Sequence, residues 1–156
     1  MKKICAYLLL IGFFTTNCGF KPINKVNNRN FDIIEIVTTG ESRINYKLKR
    51  KLLFNKTESS KKLFKIDLNS KKDKIVKEKN IKNEVTKYEI RISVQIKINE
   101  IGRQNIEKFT VESKGQFLVK NLYTQTINNE KRLVDLLTDK VADKIFNEIS
   151  NRVNDI

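Results

Sequence analysis

From Tyr88 to Asn99 apolar and polar residues alternate without a fault. Tyr88, Ile90, Ile92, Val94, Ile96 and Ile98 fall on one side, and Glu89, Arg91, Ser93, Gln95, Lys97 and Asn99 on the other. Successive side chains of a strand point to opposite faces, so this pattern predicts a strand with one buried and one wetted face. Gly102 marks a turn across Glu100–Gln104, and Ile106 to Val119 returns as a second long strand. Ser113–Gln116, with Gly115 among them, are expected to bend that strand or open a bulge in it.

Upstream, the run Phe31, Ile33, Ile34, Ile36 and Val37 ends at Thr38-Thr39-Gly40 and predicts a buried strand followed by a turn. From Glu41 the period changes. Ile44, Leu48 and Leu52 recur every four residues with Arg43, Lys47, Lys49, Arg50 and Lys51 between them, an amphipathic helix with Thr39 or Ser42 as its cap and Asn55 near its end. Its basic stripe reads as a solvated face. Phe64, Ile66 and Leu68 alternate again, and Ile75 and Val76 extend that strand into the charged stretch Ser70–Lys87. The chain closes with Val134, Leu137, Val141, Ile145, Ile149 and Val153 at spacings of three and four, flanked by Leu133 and Phe146. That is a long helix with a wide apolar stripe, capped at Asn128 or Asn129. The order β-α-β-β-β-α predicts an α+β sandwich, a single sheet of about four strands with two helices packed on one face.

The first residues follow a different logic. Lys2 and Lys3, the apolar run Ile4–Phe14 and the small or polar Thr15-Thr16-Asn17 have the order of a secretory signal, with Cys18 directly after them. Eleven apolar residues would span only about 16 Å, too short for a bilayer core of about 30 Å. The pattern predicts a signal peptide over 1–17, cut before Cys18, whose thiol then carries lipid. A plain secreted protein with an incidental Cys18 is the alternative. Residues 18–30, with Pro22 and many Asn and Lys, form the anchor and tether, and 31–156 the sandwich domain. Cys5 leaves with the signal, so the mature domain holds no disulfide.

The formal charge is +14, about +12 after removal of Lys2 and Lys3. Such a surface attracts phosphate-rich partners. A sequence crowded with Lys, Asn and Ile is also what an AT-rich genome produces, so part of the charge is open to that explanation. The sequence contains no histidine, which removes every Ser-His or Cys-His nucleophile pair. Phosphate-cradling glycine motifs are absent too. Glu89, Glu107, Glu112, Asp135 and Asp139 lie on predicted wet faces beside Lys or Arg, where solvated ion pairs explain them. No enzyme, cofactor or metal site is expected.

A helical crossover makes the first two strands parallel. The turn after the second strand and the linker after the fourth then emerge at one end of the sheet, opposite the tether. Those loops hold Lys71, Lys72, Lys74, Lys77, Lys79, Lys82 and Lys120. Lys77, Lys79, Lys82 and Lys120 are the candidate ligand-binding residues for an anionic head group. A floppy, lysine-solubilised hairpin is the competing explanation.

Three stretches together resemble the LPS-assembly lipoprotein LptE family. They are Cys18-Gly19-Phe20-Lys21-Pro22, the Tyr88–Ile98 strand with its Gly102 turn and return strand, and Leu122-Tyr123 ahead of the helix bearing Leu133, Leu137, Val141, Ile145 and Ile149. The resemblance implies a periplasm-facing outer-membrane lipoprotein of Gram-negative bacteria, acylated at Cys18. It implies a domain that plugs and helps assemble the barrel of LptD and binds lipopolysaccharide on its way to the cell surface, without catalysis or cofactor. Gly19 after the cysteine fits outer-membrane retention. A second reading is an envelope lipoprotein or periplasmic module for another polyanion or another envelope complex. Nucleic acid is disfavoured as the partner, since the open-face row from Glu89 to Asn99 offers no aromatic for base stacking.

Overall fold

The computed structural model describes residues 31–54, 62–103 and 106–154, the side chains of 153 and 154 excepted. The predicted signal peptide, Cys18, the tether, Asn55 and the side chain of Val153 lie outside the described residues. The elements are β1 (Phe31–Gly40), α1 (Ser42–Leu53), β2 (Lys62–Lys79), β3 (Val85–Glu100), β4 (Ile106–Leu118) and α2 (Tyr123–Asn154). They form one sheet in the order β1-β2-β3-β4, with β1 parallel to β2 and the other pairs antiparallel. The α+β class and the element order are those the periodicity predicts.

The even-numbered side chains of β3 from Ile90 to Ile98 are all buried, and they meet the buried Phe64, Ile66 and Leu68 of β2. Ile44, Leu48 and Leu52 of α1 and Val134, Leu137, Val141, Ile145 and Ile149 of α2 close the core from one side. Both helices run back toward the end where the chain enters at Phe31, α1 from the level of Ser70 and α2 from beyond Leu118. Their seam is ionic. Arg43, Lys47 and Lys51 reach Asp135, Asp139 and Asp143 at 3.4, 3.0 and 3.1 Å. These three cations of the α1 stripe are therefore partners of α2 rather than merely solvated.

The expected extension of β2 through Ile75 and Val76 holds and goes further, and three other readings are corrected. β2 runs nine residues beyond its last pairing with β1 at Gly40↔Ser70, continuing against β3 to Lys79. No register shift occurs between β3 and β4, so Ser113–Gln116 form no bulge. Gly115 is glycine for another reason: a Cβ there would sit 2.8 Å from Leu133 Cδ1, so it lets α2 lie close on the strand. The N-cap of α1 is Glu41, which has no side-chain capping bond, not Thr39 or Ser42. Its N–H donates to Ser70 O at 3.2 Å and Ser70 Oγ at 3.1 Å, so the neighbouring strand does the work of a cap. Finally, α2 begins at Tyr123, ahead of Asn128 and Asn129. Tyr123 to Gln125 of its first turn are exposed, so no apolar stripe marks them.

Candidate functional site at the far end of the sheet

The last β2–β3 pair is Lys79↔Val85, and Leu118 ends β4 opposite Lys87. The hairpin and the β4–α2 linker thus share one end of the sheet, opposite Phe31, as the topology predicts. The hairpin is internally hydrogen-bonded. Asn80 Oδ1 accepts the N–H groups of Lys82 and Glu84 at 2.9 and 3.0 Å, and Asn80 Nδ2 donates to Glu84 Oε2 at 2.7 Å. Asn83 takes φ 62°, a conformation asparagine tolerates, and its side chain accepts a bond from Lys79 Nζ at 2.9 Å. One asparagine organises the turn as an Asx-type loop.

The linker is pinned as firmly. Val119 N–H donates to Thr86 O at 2.9 Å, and Lys120 N–H donates to Thr126 Oγ1 at 2.8 Å. Thr126 is buried, so Lys120 is held at a fixed place while its side chain stays exposed. Between hairpin, linker and the start of α2 lies a cavity of about 500 Å³. Lys74, Val85, Tyr88, Lys120, Tyr123 and Ile127 are among its walls. Tyr88 stacks on Phe117 with centroids 5.6 Å apart, and Lys74 Nζ sits 4.4 Å above the tyrosine ring. Glu130 Oε2 holds that ammonium at 2.6 Å. The site is amphipathic: apolar and aromatic walls, with Lys74 paired to Glu130 and Lys120 without an acidic partner among the described residues.

The four candidate lysines share this end but not one face. Lys77 turns to the helix-free face, 3.5 Å from Glu89. Lys79 and Lys82 sit at the hairpin tip, and Lys120 lines the cavity. Among the described residues no acid pairs with Lys82 or Lys120. Lys74 joins Lys120 in the cavity and escapes sequence reasoning as a specific candidate, because its even-numbered position within a charged run gives no sign that it caps an aromatic pair.

Each carboxylate singled out from the sequence does meet a cation. Asp135 and Asp139 lie in the helix seam, and Glu112 Oε1 lies 3.2 Å from Arg91. Glu107 differs in placement: it pairs with Ile98, faces the helices and meets Arg152 at 3.2 Å. Glu89 differs in burial, being 6 % exposed among Lys77, Arg91 and Gln116. Burial pushes its carboxyl up, but the Gln116 hydrogen bond and the Lys77 charge outweigh it and hold Glu89 below the usual carboxylate range. No group of His, Cys, Asp and Glu fit to hold a metal occurs among the described residues.

Fold and site together define a small α+β sandwich with a cationic, amphipathic pocket at one end of its sheet. No family model matches the chain, and no curated protein matches it. Solved structures do. The rare lipoprotein B of Shewanella oneidensis aligns with TM-score 0.60 at 15% identity, over 77% of this chain and 97% of that one. A putative lipoprotein of Caulobacter crescentus gives 0.56 at 15%, over 80% and 90%. A minor lipoprotein of Acinetobacter baumannii gives 0.56 at 16%, over 78% and 93%. At such identities the likeness is one of fold.

Proposed function

We propose that the chain is a lipid-anchored, non-enzymatic assembly factor and plug for an outer-membrane β-barrel translocon of the LptD type, and that it takes part in binding and delivering lipopolysaccharide. The observation that carries this reading is the far end of the sheet. It offers apolar walls beside lysines, the complement of an acylated, phosphorylated glycolipid, and it lies opposite the end where the Cys18 tether enters. Solved lipoproteins of the same fold support it, as do the order of residues 1–18 and the absence of histidine from the sequence.

The test titrates lipopolysaccharide into the chain, wild type and Lys77→Glu/Lys79→Glu/Lys82→Glu/Lys120→Glu, at low and high salt. Each exposed ammonium–phosphate contact is worth about 1 kcal/mol or less, so single changes are mild and the quadruple change large. Binding weakens as the Debye length falls from about 10 Å at 0.1 M to about 3 Å at 1 M salt. Equal affinity of the two proteins refutes a ligand role for these lysines. Intact mass of the membrane-extracted protein checks the anchor: a chain starting at Cys18 plus lipid is expected.

A further inference from the structure

The end opposite the lysines, where the chain enters the fold, carries apolar side chains on its surface. Leu63, Ile101 and Ile106 are 41 %, 46 % and 49 % exposed. They adjoin one another: Ile101 N–H donates to Leu63 O at 2.9 Å, and Ile106 pairs with Asn99 at the foot of β3. Leu63 and Ile106 stand on the face that no helix covers, since the residues next to Leu63 and opposite Ile106 in the alternation, Phe64 and Ile98, are buried under the helices. Ile34, the extra residue of the bulge in β1, is 44 % exposed near this end, and Phe54 at the foot of α1 is 84 % exposed.

The turn at the tip makes the pattern pointed. Arg103 N–H donates to Glu100 O at 3.3 Å, and Gly102 has φ +89°, the value a type II turn requires at its third residue. Turn tips are ordinarily polar, yet here the second residue is Ile101. Arg103 follows the glycine, 54 % exposed at its side chain and 3.5 Å from Glu100 Oε2.

We propose that this end seats against the lipid leaflet, with Ile101, Leu63, Ile106 and Phe54 entering the boundary between head groups and acyl chains and Arg103 at the phosphate level. The proposal rests on the lipid-anchor reading. What selects lipid as the occupant is the chain outside the described residues. It joins the fold at Phe31, at this same end, and the twelve residues between Cys18 and Phe31 span at most about 43 Å, less than the length of the sheet from Phe31 to the hairpin at about 3.3 Å per strand residue. An anchor at Cys18 therefore keeps this end, and not the lysine-rich one, beside the membrane.

The sequence has no tryptophan, so a single introduced indole reports cleanly on its surroundings. The full chain, extracted from bacterial membranes, is reconstituted into vesicles of phosphatidylethanolamine and phosphatidylglycerol as Ile101→Trp and, at the fully exposed hairpin tip, Ile81→Trp. Unchanged thermal midpoints confirm that both variants fold. The Ile101→Trp variant is expected to emit to the blue and to lose most of its emission when the acyl chains are brominated, while the Ile81→Trp variant does neither. A vesicle-bound Ile101→Trp protein that emits as in water overturns the seating and leaves the anchor standing. Blue-shifted emission from Ile101→Trp that brominated lipid does not quench means that protein covers this end, a second copy or a barrel wall, and also overturns it. Protein that fails to stay with the vesicles overturns both.

Discussion

At Gly40 the backbone leaves β1 with φ +92°, and a Cβ built there would lie 1.9 Å from Ser70 O. That oxygen is the acceptor for Glu41 N–H, so the clash falls on the contact that starts α1. Gly102 has nearly the same φ but open space around it. Gly40→Ala is therefore expected to cost several kcal/mol in urea denaturation and Gly102→Ala about 1 kcal/mol, the difference being the collision rather than the torsion. Similar costs would place the strain in the backbone alone. Glu89 makes a second prediction. Its carboxyl is held below the ordinary range in the fold, so its contribution to stability is complete above the unfolded value and is lost as pH falls through the folded one. Glu89→Gln should be less stable than wild type at pH 7, with the gap closing in acid; denaturation midpoints across pH check this. A constant gap would assign the loss to packing.

Among the elements, the helix seam is the most regular feature, three cations of α1 against three aspartates of α2 at matching four-residue steps. These side chains are partly exposed, so each pair is worth about 0.5–1 kcal/mol. Lys47→Glu or Asp139→Lys alone should lower the thermal midpoint by about 4 °C, and the double exchange should restore most of it. Absence of rescue would mean that Lys47 acts through its bond to the Asp135 carbonyl at 2.9 Å instead. The elements also show what the sequence could disclose. β3 is legible because one face is buried along its whole length and the other is polar. The second half of β2 is only partly legible: Ile75 and Val76 disclose that the strand goes on, but Lys72 and Lys74, opposite Ile92 and Ile90, carry no apolar mark of the inner side. The start of α2 is hidden for a like reason: Tyr123 to Gln125 are exposed, and the Lys120 N–H donates to the Thr126 hydroxyl, a contact that leaves no periodic trace.

At the scale of the molecule, topology locates the lysine-rich end but cannot distribute its side chains. Lys77 and Lys120 share an end by connectivity, and only the strand face of Lys77, beside Glu89, and the Thr126 bond of the linker separate it from Lys120, in the cavity. The pocket has Tyr88 in its wall, backed by the stacked Phe117, and alternation marks Tyr88 as core while nothing in its spacing marks it as a wall. β2 has strand neighbours on both sides as far as Ser70, and beyond it β3 alone, on one side. The sheet is consequently four strands wide where the chain enters and three where the lysines are, so at the far end the hydrogen bonds of hairpin and linker stand in for a fourth strand. Local opening draws on the weakly supported parts of a fold. Opening is therefore expected to start at the three-stranded end, with the four-stranded half staying closed.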